Sequence, residues 1–148
     1  MPRIERSADV TWEGNVARGS GRISGRTGAF TELPYSLPTR IGQAEGKTSP
    51  EELLAAAHGG CITMSLAGEL TQAGTPPGRL DVGVTIVMDE VDGQGHQIVA
   101  SHVQATVAAD GVDEAALVAA VEKADEGCPF SQLLKRAGAS VEIAARLA

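Results

Sequence analysis

"TSPEELLAAAHGGCITMSLAGELTQAG", residues 48–74, is the stretch on which the fold turns. It opens with helix-start chemistry: Ser49 suits the N-cap, Pro50 the first helical position, and Glu52 completes a capping box. Gly74 and the Pro76–Pro77 pair stop the helix. In between, nearly every face is apolar, and a helix hydrophobic all round is a buried one. A single small domain has few elements with which to wrap it, so a second copy of the chain is expected to cover the remaining face. The run also carries Cys61. The only other cysteine, Cys128, stands in "EGCPFSQLL", residues 126–134.

Outward from this helix, the flanking segments read as strands and shorter helices. Toward the N-terminus, "ADVTWEGNV" (8–16) and "GSGRISGRTG" (19–28) are short mixed segments rich in turn formers and predict a hairpin. "FTELPYSLPTRIGQAEGK" (30–47) has two prolines and no sustained period, so it reads mostly as loop with one short strand. A loop of that length in a compact domain is often functional. Toward the C-terminus, "RLDVGVTIVMDEV" (79–91) and "HQIVASHVQATVAAD" (96–110) alternate as strands around "DGQG". Leu117, Val118, Val121 and Ala124 then fall at helical spacing up to Gly127. "CPFSQLLKRAG" (128–138) gives one short helix and "ASVEIAARLA" (139–148) a last strand. The order β-β-α-β-β-α-α-β predicts one α+β domain over 1–148, with helices packed on antiparallel strands.

Size and charge limit the function. A chain of 148 residues buries a core without disulfide staples. Its net charge of −7 argues against a nucleic-acid partner, which would want a basic stripe. The N-terminal "MPRIERSADVTW" has no apolar signal region, and the apolar run Leu53 to Gly68 is short for a membrane span and diluted with Gly, Ser, Thr and His. The expected address is the cytoplasm, with no membrane partner. There, two cysteines far apart in sequence are more often catalytic or redox-active than a permanent cross-link.

The two thiols differ in local setting. Cys128 precedes Pro129 at the start of a helix, where unsatisfied N–H groups favour negative charge and hence a reactive thiolate. Cys61 lies mid-helix among apolar residues, where a thiol is harder to ionise unless a cation or donor is close. The local sequence supplies no such partner. His58, three residues before Cys61, admits three readings: a Cys–His pair, a metal ligand with both cysteines, or a histidine satisfied at an interface. The last is favoured. His96 and His102 show no ligand spacing, Trp12 reads as packing, and "RGSGRISG" lacks the Gly-Lys-Ser/Thr ending of a phosphate loop.

"TRIGQAEGKTSPEELLAAAHGGC" (39–61), followed by "CPFSQLL" (128–134), resembles the OsmC/Ohr family, the osmotically inducible protein C and organic hydroperoxide resistance proteins. The likeness runs from "WEGNVARGSGRISG" (12–25) to the last strand. "AAAH" before Cys61, the early "WEG" and "PTR" resemble the OsmC branch. The resemblance implies an OsmC-like fold, with antiparallel sheets around long central helices, in an intertwined homodimer whose active sites lie at the subunit interface. It further implies thiol-dependent reduction of organic hydroperoxides, and more weakly of hydrogen peroxide, in oxidative and osmotic stress defence. On this likeness Cys61 matches the peroxidatic cysteine, Cys128 the resolving one, Arg40 the family arginine and Glu51 the glutamate that pairs with it. Gly59–Gly60 departs from relatives that carry small residues such as alanine there, and is read as room for close backbone packing.

The implied chemistry needs no metal, flavin or nucleotide. Arg40 favours the Cys61 thiolate and binds the peroxide; Cys61 becomes a sulfenic acid; Cys128 closes a disulfide; an external dithiol, carried by lipoyl-bearing proteins for some relatives, reopens it. Glu51 lies ten helical residues, about 15 Å, from its own chain's Cys61. It therefore cannot be the base for that cysteine; its expected role is to orient an arginine, and in this site Glu51 is expected to come from the other subunit. Ile62, Met64, Phe130 and Leu133 are the apolar candidates for the substrate wall. The rival functions are a non-enzymatic redox sensor or small-molecule-binding dimer using the same cysteines and, more distantly, a metal-binding module.

Overall fold

A computed structural model describes residues 2–148. The chain divides into two compact units, Met1–Pro50 and Glu51–Ala148. In the first, β1 (Ala8–Glu13) and β2 (Ser20–Gly25) form the expected hairpin, with Trp12 opposite Gly21. The Asn15 side chain accepts from the Arg18 N–H and its carbonyl from the Gly19 N–H, which closes the turn. β3 (Leu33–Tyr35) adds antiparallel to β2. The segment expected as loop also holds a short helix, α1 (Leu37–Ile41), capped by the Ser36 hydroxyl accepting from the Thr39 N–H. Pro38 obscured it, because a proline in the first turn of a helix looks like a loop residue when no apolar period accompanies it.

The second unit is built on α2 (Pro50–Gln72), the helix predicted from the sequence. His58, Ile62, Leu66 and Leu70 form its buried row at four-residue spacing. Ile62, Leu66 and Leu70 pack with Val103, Ala105 and Val107 of β5 and with Leu117, Ala120 and Ala124 of α3. At 23 residues α2 is long and apolar enough to cross a membrane by length and composition alone, as core helices of soluble proteins also are; this one packs its row into protein. Gly59 lets the helix approach β4: a Cβ there would meet Val84 Cγ2 at 3.2 Å, while at Gly60 it would meet open space.

β4 (Arg79–Val91) and β5 (Gly95–Ala108) pair antiparallel, with a bulge at Val87/Met88. Beyond the bulge, Ser101, Val103, Ala105 and Val107 of β5 are all buried. α3 (Glu114–Gly127) is capped by Asp113, whose carboxylate accepts from the Ala116 N–H at 2.8 Å. Its buried row is Leu117, Ala120 and Ala124, with Val118 exposed instead. α4 (Pro129–Arg136) and β6 (Ser140–Leu147) follow.

The sheets are not all antiparallel as expected. β6 runs parallel to β5, from Ala100 opposite Ser140 to Val107 opposite Leu147. The reason is the connection: α3 and α4 form a crossover long enough to return the chain to the start of the sheet, which a hairpin cannot do. The α+β class stands, with one three-stranded sheet in each unit, ordered β1-β2-β3 and β4-β5-β6.

Candidate active site

Cys128 occupies a corner. It closes the C-terminus of α3 and is the N-cap of α4, with extended φ −80° and ψ 113°. Its sulfur accepts from the Ser131 N–H at 3.5 Å, the usual bond from an N-cap side chain to the third helical residue. Pro129 at the first helical position makes this corner sharp, since its fixed φ suits the helix and its missing N–H is one the helix does not need. The Cys128 side chain is sealed, at 0 % exposure.

Cys61 meets it from α2. The two sulfurs lie 3.1 Å apart, with both cysteines in the free thiol state. A disulfide needs about 2.05 Å, so closure asks for a movement of about 1 Å. Burial pushes the Cys61 thiol above its ordinary value and the thiol of Cys128 adds to this, while the Phe130 backbone N–H at the start of α4 works in the opposite direction. The larger of these influences favour the protonated thiol.

His58 has the bland environment favoured from sequence, though its partners lie within the same unit. Its Nδ1 is 2.8 Å from Ser101 Oγ and its Nε2 2.9 Å from Ser131 Oγ. His58, Ser101 and Ser131 are all fully buried. Burial lowers the His58 pKa; Asp125 raises it and Lys135 lowers it to lesser extents. With both nitrogens taken by serines, neither is directed at the cysteines. Among the described residues no group of three or more His, Cys, Asp or Glu is placed to hold a metal ion.

Of the other predicted residues, Arg40 lies exposed in α1 of the first unit, beside a small cavity lined by Trp12, Tyr35 and Leu37. Glu51 stands in the first turn of α2. Ile62 is buried in the core and Phe130 packs against it, whereas Met64 and Leu133 are 76 % and 59 % exposed. The residues missed from sequence are Ser101 and Ser131. The signal for Ser101 was its place in the inward series of β5, where a polar residue among valines and alanines must have a buried partner.

One α+β unit thus brings two free thiols to 3.1 Å, one of them at a helix N-cap. A family profile described as OsmC-like protein matches residues 42–144. The chain is 36 % identical over 132 residues to "Peroxiredoxin OsmC" of Escherichia coli (strain K12), covering 89 % of this chain and 91 % of that protein. It is 30 % identical over 102 residues to the "Organic hydroperoxide resistance protein" of Xanthomonas axonopodis pv. citri (strain 306), covering 68 % and 69 %. The fold is similar to a crystal structure of an organic hydroperoxide resistance protein OsmC from Legionella pneumophila, with a TM-score of 0.76 at 19 % identity, covering 97 % of this chain and 98 % of that one. The chain belongs to the OsmC family.

Proposed function

We propose that this protein is a thiol-dependent peroxidase that reduces organic hydroperoxides, and hydrogen peroxide more weakly, in defence against oxidative and osmotic stress. The observation that carries the reading is the 3.1 Å approach of Cys61 and Cys128 across 67 residues of sequence. The names of its curated relatives, a peroxiredoxin and a hydroperoxide resistance protein, point to the same chemistry.

In this reading the Cys61 thiolate attacks one peroxide oxygen, the O–O bond breaks, and the alcohol leaves after taking a proton. Cys61 becomes a sulfenic acid, with sulfur oxidised by two electrons and the peroxide reduced by two. Cys128 then attacks that sulfur; a disulfide forms and water departs. An external dithiol, such as a lipoyl group, restores both thiols by exchange. Arg40 binds the peroxide and favours the Cys61 thiolate, and Glu51 orients an arginine; both roles rest on the sequence resemblance. Met64, Phe130 and Leu133 give apolar surface to an alkyl chain, and Ile62 backs Cys61 from the core. Each methylene buried there contributes about 0.8 kcal/mol, which favours bulky hydroperoxides. The chain works as one OsmC-like domain, in a cytoplasmic homodimer.

Stopped-flow mixing of the reduced protein with cumene hydroperoxide tests the reading. Rapid loss of both thiols, renewed over many cycles by a dithiol, supports an enzyme. A single oxidation that dithiol cannot reverse marks a sensor instead and rejects it.

A further inference from the structure

His58, Ser101 and Ser131 form a fully buried polar trio within an otherwise apolar core. Burying three polar side chains is costly unless every one is hydrogen-bonded, and apolar side chains at all three positions would avoid that cost. What the trio adds is direction. His58 precedes Cys61 by one turn, so the two share a face of α2. Its Nδ1 fastens that face to β5 through Ser101, and its Nε2 fastens it to α4 through Ser131. Ser131 is also the residue whose N–H donates to the Cys128 sulfur. The contacts therefore close a ring: Cys61 to His58 along α2, His58 to Ser131, Ser131 to Cys128, and Cys128 back to Cys61 at 3.1 Å.

We propose that His58 is a positioning residue for disulfide closure, holding the start of α4 against α2 through Ser131 so that the Cys128 sulfur stays in line with Cys61. The inference rests on the peroxidase reading above for its physiological role, but the ring is a property of the dithiol itself. The step it governs is attack of Cys128 on the Cys61 sulfenic sulfur: an S–S bond forms, the S–O bond breaks, and the oxygen leaves as water with the thiol proton. The oxidising equivalents come from the hydroperoxide. His58 takes no proton in this step. Its contribution is orientation, where a displacement of about 1 Å costs up to about a hundredfold in rate.

The variants His58→Leu and Ser131→Ala each open the ring, and His58→Gln, with an amide donor and acceptor, partly restores it. Rapid kinetics with cumene hydroperoxide should give an unchanged rate of Cys61 oxidation in all three. Disulfide closure should slow by about tenfold to a hundredfold in His58→Leu and Ser131→Ala. Sulfenic acid should then be trapped by dimedone, and His58→Gln should recover much of the rate. A second readout needs no peroxide: titration of the dithiol against glutathione. There the disulfide of both ring-opening variants should be at least about tenfold less favoured, a rise of about 30 mV in potential. Ser131→Ala removes one oxygen and keeps the test available if His58→Leu does not fold. Unchanged closure and potential in Ser131→Ala, or equal slowing of both oxidation steps, overturns the proposal. Absence of any peroxide reaction in the unaltered protein rejects the peroxidase reading instead, and leaves the potential as the test of the ring.

Discussion

Cys61 is a poor nucleophile in its own surroundings: burial and a neighbouring thiol both favour its protonated form, and one backbone N–H opposes them. The proposed activating charge is that of Arg40, which stays protonated at any working pH. Arg40→Met should therefore slow the peroxide step by about a hundredfold, the scale of losing one stabiliser of developing negative charge, and leave reduction of the disulfide unchanged. Single-turnover traces of each half-reaction check this, and equal slowing of both contradicts it. His58 gives a pH prediction. Its folded pKa lies below the ordinary 6.5, chiefly through burial, with Asp125 on α3 and Lys135 on α4 acting in opposite senses. The unfolded state then binds the extra proton first, so the stability contributed is present above about pH 6.5 and is lost as pH falls below it. Urea midpoints near neutrality and near pH 5 should differ more in the unaltered protein than in His58→Gln. At this scale the sequence revealed the two cysteines but not the serine pair: Ser101 stood out only as a polar residue in the inward series of β5, and Ser131 had no signature until helix α4 paired it with the histidine.

Helix α2 was legible because cap, stop and apolar content agree over its whole length. Which of its faces is buried was not, since an all-round apolar helix has no preferred side in sequence. The structure selects His58, Ile62, Leu66 and Leu70 because the inward residues of β5 and α3 meet that row. Leu70 is only 1 % exposed at its end. Leu70→Ala should thus destabilise the fold by about 2–5 kcal/mol in urea unfolding, the cost of a core cavity. A change below about 0.5 kcal/mol, the scale of surface substitutions, would place that residue outside the core. The parallel pairing of β6 escaped sequence reading for a different reason: alternation along a strand marks its inward face but not its direction. Direction is fixed by the α3–α4 crossover. The corner at Cys128, by contrast, was readable from Gly127 and Pro129, which end one helix and begin the next.

For the whole molecule, we propose a dimer. Met64 is 76 % exposed on α2, and a groove beside it is lined by Ala55, Ala56, Gly60, Leu80 and Val82. A second copy seated there would cover the remaining face of a helix that is apolar on nearly every side. Met64→Glu should accordingly shift the protein from dimer to monomer in sedimentation, with little loss of secondary structure; a Met64→Glu protein that remains dimeric places the interface elsewhere. The proposed redox cycle of the dithiol is tested by peptide mapping with mass spectrometry after one equivalent of cumene hydroperoxide. A single Cys61–Cys128 cross-link within each chain, erased by dithiol, is the expected result. Two cysteines that stay unlinked, with oxygen added to either one or to neither, would contradict it.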